Sequence, residues 1–156
     1  MRKKVEHAGL SNVFIESVLR KTCTDFFGVF SADSIPDRLT KQKRASVVCN
    51  LSREKEDGTH FVTLLLTEKK ILYLDSFGLA CYVPEILKFL HQSKREIVFF
   101  TEKIQDDESV FCGFYAILFC LYFDAGIWKK PKLNFSKDDL FENDRKCISY
   151  ILEMLQ

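Results

Sequence analysis

Leu10, Val13, Phe14, Val18 and Leu19 recur at the three-and-four spacing of one helical face. The pattern predicts an amphipathic helix over residues 10–22, with Ser11 or Asn12 as its N-cap. Residues 25–44 hold Gly28, Pro36 and many polar groups, and read as an irregular loop. Residues 45–51 form a β-rich run, followed by a charged turn at 53–58. Two apolar runs, 60–66 and 71–76, flank Thr67-Glu68-Lys69-Lys70 and predict a hairpin. Pro84, tolerated in a first helical turn, opens a helix to about residue 92. A strand is expected over 97–101 and a polar loop over 102–111. Residues 113–125 are apolar all round, the mark of a buried helix. Ser136, followed by Asp138 and Asp139, is expected to cap a last helix reaching about residue 155. A hairpin mixed with crossover helices is an α+β pattern: a mixed central sheet flanked by helices. No linker or repeat divides the chain, so residues 1–156 are read as one domain.

Composition narrows the function classes. A chain of 156 residues can bury about 70% of its unfolded surface without staples. Lys and Arg number 23 against 22 Asp and Glu, a net charge of +1. That excludes nucleic-acid binding driven by overall charge, although local basic clusters exist at Arg2-Lys3-Lys4, Lys41-Gln42-Lys43-Arg44 and Lys129-Lys130 with Lys132. The longest uncharged run, residues 109–123, is shorter than the roughly 18 residues of a spanning helix, so no membrane association is expected. The basic start resembles a signal peptide, but Glu6, His7 and Glu16 interrupt the required apolar stretch. A protein that is not secreted keeps its cysteines as thiols. The six here (Cys23, Cys49, Cys81, Cys112, Cys120, Cys147) form no CxxC pair or zinc-like cluster, and no metal is expected.

Register in the hairpin supplies the first chemical argument. If Leu66 pairs with Ile71, opposed residues sum to 137, and His60 lies opposite Phe77 and Val62 opposite Asp75. His60 and Val62 share a face, because side chains alternate with a period of two. Asp75 is then a diagonal neighbour of His60, roughly 7–8 Å away at Cα and within reach of the imidazole. Both faces of the hairpin are otherwise apolar, which predicts a doubly covered sheet in which Asp75 requires a partner. Cys112 stands where the polar loop meets the buried helix. A helix N-terminus, with its dipole and unpaired N–H groups, stabilises negative charge on sulfur, and Gly113 is expected to leave the approach to the sulfur uncrowded. Gln105, seven residues earlier, is a side-chain amide able to donate to an oxyanion. Taken singly, each has a plain structural reading: a hydrogen-bonded His at a strand start, an Asp in a turn, a buried Cys, a solvated Gln. The other five cysteines keep that plain reading. In the order His60, Asp75, Gln105, Cys112 they make a base, its orienter, an oxyanion donor and a nucleophile.

That order and its local sequences resemble the adenovirus-type cysteine proteases (adenain), whose clan includes the SUMO-specific proteases. The carrying segments are Gly58-Thr59-His60-Phe61, Tyr73-Leu74-Asp75-Ser76-Phe77-Gly78, and Gln105 through Cys112-Gly113-Phe114. Phe26-Phe27-Gly28-Val29-Phe30 looks like the family's aromatic–glycine segment near the start of its cleft. The resemblance implies a papain-like fold of the adenain type, with the nucleophile at the N-terminus of a buried helix. It implies a thiol endopeptidase with Cys112 as nucleophile, His60 as base, Asp75 as orienter and Gln105 as oxyanion donor, and no cofactor for the chemistry itself. It further implies cleavage of viral capsid or core precursors at Gly-containing sites, in the virion or the host nucleus or cytoplasm. An activating peptide and DNA are cofactors of the family. Residues 94–104 hold no Cys, so disulfide capture of such a peptide there is not expected. Phe61 stands where the family has Trp after His, and is expected to cover the imidazole. A protease for ubiquitin-like modifiers and a non-catalytic binding module are the rival readings.

Overall fold

A computed structural model describes residues 9–56, 58–126 and 134–156. The basic clusters at residues 2–4 and 129–132 lie outside these. In chain order the elements are α1 (Asn12–Thr22), β1 (Phe26–Ser31), a 3₁₀ turn (Asp37–Lys41), β2 (Ala45–Asn50), β3 (Phe61–Leu66), β4 (Lys70–Leu74), α2 (Pro84–Gln92), β5 (Glu96–Phe100), α3 (Cys112–Asp124) and α4 (Leu140–Met154). The strands form one sheet in the order β1-β2-β3-β4-β5. The outer pairs β1/β2 and β4/β5 are parallel, and the inner pairs are antiparallel. This is the mixed α+β sheet that the pattern predicted.

Alternation along the strands separates two cores. Val48, Phe61, Leu65 and Leu74 face α1, α3 and α4, through Ile15, Leu19, Ile117 and Ile151 among others. Val47, Cys49, Val62, Leu64 and Tyr73 face α2 and the 3₁₀ turn, through Ile86, Phe89, Leu90 and Leu39. Every residue of β2 and of β3 is buried, as a sheet covered on both faces requires. The hairpin register is the one derived above, with Leu66 opposite Ile71. Helix α3 is buried from Tyr115 to Phe123, and no described helix is long and apolar enough to cross a membrane.

Two expectations are corrected. Residues 25–44 are not an irregular loop, because they carry β1 and the 3₁₀ turn. Strand β1 is an edge strand with a register shift between Phe26 and Gly28, which breaks its alternation. The cap of α4 is Asp139, whose side chain accepts from Glu142 N, rather than Ser136. The Ser136 hydroxyl is already used, accepting from the backbone N–H of Asp138 and Asp139. At α1, Ser11 rather than Asn12 is the cap. Arg44, in the one basic cluster described, is engaged internally: it pairs with Asp25 at 2.7 Å, donates to the Phe123 carbonyl and lies over the Phe123 ring.

Candidate active site

Three elements converge on a cleft of about 720 Å³: the start of α1, the loop entering β3 and the start of α3. His60 and Phe77 line one wall, and Ser109, Val110 and Cys112 line the other. Cys112 is the first residue of α3, and no side chain caps that helix. Phe114 N already donates to Phe111 O, which leaves the N–H groups of Cys112 and Gly113 unspent at the sulfur. Cys112 is half-buried, whereas the other five thiols are buried. Burial pushes Cys23 up to about 11 and raises Cys49, Cys81, Cys120 and Cys147 as well.

His60 Nε2 lies 2.7 Å from Asp75 Oδ1. With that nitrogen taken, Nδ1 is the one left to serve the Cys112 thiol, which lies near enough to act on the imidazole. Asp75 Oδ1 accepts a second bond from Phe77 N at 2.8 Å, and Asp75 O accepts from Gly78 N at 2.8 Å. The carboxylate thus belongs to a tight turn that fixes it before any substrate arrives. Gly78 closes the turn at φ +73°, where a Cβ would come within 2.7 Å of Lys103 N. Glycine is needed there for both conformation and space.

Desolvation by burial depresses the His60 pKa. Its bond to Asp75 and the proximity of Cys112 outweigh that and bring it up to about 9. A histidine raised on folding stabilises the native state fully below its unfolded pKa, near 6.5, and loses that contribution as pH rises through the folded value. The melting temperature of the wild-type protein is therefore expected to fall between pH 6.5 and 9. In thermal melts, His60→Gln should flatten that decline, and an unchanged slope would contradict the pairing.

Two expectations about neighbours change. The ring stacked on His60 is Phe77, with centroids 4.7 Å and planes 21° apart, while Phe61 packs into the core between the sheet and α3. The register sum of 137 already placed Phe77 opposite His60, so the signal was present. Gly113 does not clear a path to the sulfur. A Cβ there would meet Leu10 Cβ at 3.1 Å and Ile15 Cδ1 at 3.2 Å, so its smallness lets α1 pack on α3.

Gln105 is fully buried and does not line the cleft. Its Oε1 accepts from Ser76 Oγ at 2.5 Å, and its Nε2 donates to Ser109 O and Oγ at 3.1 and 2.9 Å. The backbone N–H groups of Ile104 and Gln105 both donate to Ser76 O. Ser76 therefore orients the amide, and Ser109 stands between that amide and the cleft. Behind it, Tyr115 donates to Asp144 Oδ1 at 2.6 Å and Asn143 donates to Ile104 O, tying α4 to the loop. Nothing in the linear pattern marked Ser76, Ser109, Asn143 or Asp144, because each depends on a contact distant in sequence. Segment 26–30 forms edge strand β1, and none of its residues lines the cleft. Among the described residues no cluster of His, Cys, Asp and Glu has the makings of a metal site.

No protein-family model matches the chain, and no curated protein matches it in sequence. Solved structures match its fold. The ASFV pS273R protease superposes with a TM-score of 0.53 at 15% identity, over 88% of this chain and 65% of that one. AvrA, in a structure with IP6 and CoA, does so with a TM-score of 0.53 at 13% identity, over 91% of this chain and 60% of its own. The chain thus spans less than two thirds of either. The fold is that of papain-like, SUMO-protease-like cysteine proteases.

Proposed function

We propose that the protein is a cysteine endopeptidase acting through Cys112, His60 and Asp75. The observation that carries the reading is one imidazole hydrogen-bonded to a buried carboxylate and near enough to the half-buried thiol of an uncapped helix to be shifted by it, in an open cleft. His60 holds the thiol proton, and the sulfur attacks the scissile carbonyl. The Cys112 N–H receives the oxyanion. Protonated His60 then delivers its proton to the leaving amine, and water resolves the thioester. Gln105 joins as an oxyanion donor by exchanging a bond to Ser109 for one to the substrate. On that role, Gln105→Ala lowers kcat by about 10²–10³, read in steady-state hydrolysis.

The adenain resemblance supports viral capsid or core precursors, cut at Gly-containing sites, as substrates, and one fold neighbour is itself a viral protease. Peptide and DNA activation belong to the same proposal. The decisive assay offers Gly-containing precursor peptides with and without DNA, beside fluorogenic ubiquitin and SUMO substrates. Turnover of the modifiers alone would move the activity to isopeptide hydrolysis. Turnover of neither, with slow and equal alkylation of all thiols, would leave a binding module. The CoA in the AvrA structure favours a second reading, in which the Cys112 sulfur attacks an acyl-CoA and releases the CoA thiolate. Acylation of Cys112 by acetyl-CoA, read by mass, would establish it.

A further inference from the structure

The cleft is lined largely by apolar groups, and its polar side chains are mostly committed elsewhere. Ser11 caps α1, Thr59 Oγ1 bonds Ser52 Oγ at 2.9 Å, and Ser109 Oγ accepts from Gln105. Besides His60, two remain: Asn12, exposed at the start of α1, and Asn50, 5% exposed at the end of β2. Asn50 pairs with Phe61 across the sheet, which sets it beside His60 on the same wall. Its Oδ1 accepts from Ser52 N at 2.9 Å and Thr59 N at 3.4 Å. Both neighbours are backbone donors, so only the oxygen of the amide can face them, and the orientation of the group is settled. Nδ2 then points the other way, against Gly58, where a Cβ would come within 2.7 Å of it. Nδ2 donates to nothing among the described residues and is not sealed from solvent.

A nearly buried amide with its acceptor spent and its donors unspent, in a cleft beside a base, calls for an acceptor from outside. From this geometry we infer that Asn50 is a substrate-binding residue, whose Nδ2 donates to a main-chain carbonyl of an extended polypeptide lying between the His60 and Cys112 walls. The inference rests on the protease reading and deepens it. Recognition through a backbone carbonyl selects chain conformation rather than side chain, so the substrate class is an extended segment, a tail or linker. Gly58 keeps the donor unobstructed.

Asn50→Asp is the clean test, because the carboxylate retains an oxygen for Ser52 and Thr59 while turning the donor into an acceptor. It should raise KM about tenfold with kcat little changed. In a scan of peptides with a thioamide at each position other than the scissile one, wild type should discriminate against sulfur at one position, and Asn50→Asp should lose that discrimination. Gly58→Ala, which presses a methyl against Nδ2, should raise KM in the same way and carries the test if Asn50→Asp fails to fold. Wild-type KM in both variants would overturn the inference alone. A wild-type protein that neither cleaves the peptides nor takes up a peptidyl electrophile at Cys112 would overturn it together with the protease reading.

Discussion

Cys112→Ala is expected to abolish hydrolysis, by a factor on the order of 10⁶ where the nucleophile of such a triad is removed. The same substitution should remove the single fast site of iodoacetamide alkylation near neutral pH. The basis is the contrast among six thiols in one chain. Five are buried, with pKa values pushed up by desolvation, and only Cys112 combines partial exposure, a helix N-terminus and a neighbouring imidazole. The side chain is half-buried at the edge of the core, so the variant should stay folded and lose only the modest stability that the sulfur's packing and its effect on His60 contribute. Hydrolysis at the normal rate by Cys112→Ala would refute the assignment.

Asp75→Asn should lower kcat/KM by about 10⁴, the scale seen when a triad loses its carboxylate but keeps its geometry. An asparagine oxygen can still accept from Phe77 N, so the turn should survive. What disappears is the negative charge beside the imidazole, one of the influences that raise His60 to about 9 against the opposing effect of burial. The histidine pKa, followed by NMR titration, should therefore fall in Asp75→Asn, and the rate of thiol alkylation should fall with it. A variant with full activity and an unmoved histidine would show that Asp75 serves only the turn.

The hairpin carried most of what could be read in advance. Its apolar runs and four-residue connection determine the register, and the register determines that His60, Asp75 and Phe77 share a neighbourhood. Resemblance points to Phe61 as the ring over the imidazole, whereas the register sets Phe77 opposite His60, and Phe77 is the ring that stacks there. Strand β1 was hidden because an edge strand with Gly28 and a register shift lacks clean alternation. The start of α4 was displaced because Ser136, Asp138 and Asp139 are all good capping residues, and only the hydrogen bonds show which one is used. The contacts of Gln105 span 29 residues to Ser76, a separation at which no periodicity speaks.

One short turn, residues 75–78, holds the histidine through Asp75, anchors the glutamine through Ser76, covers the imidazole with Phe77 and presses on the neighbouring loop at Gly78. The proposed base and the proposed oxyanion arm therefore share a keystone. A lesion that breaks the turn itself, unlike Asp75→Asn, would disturb both arms at once.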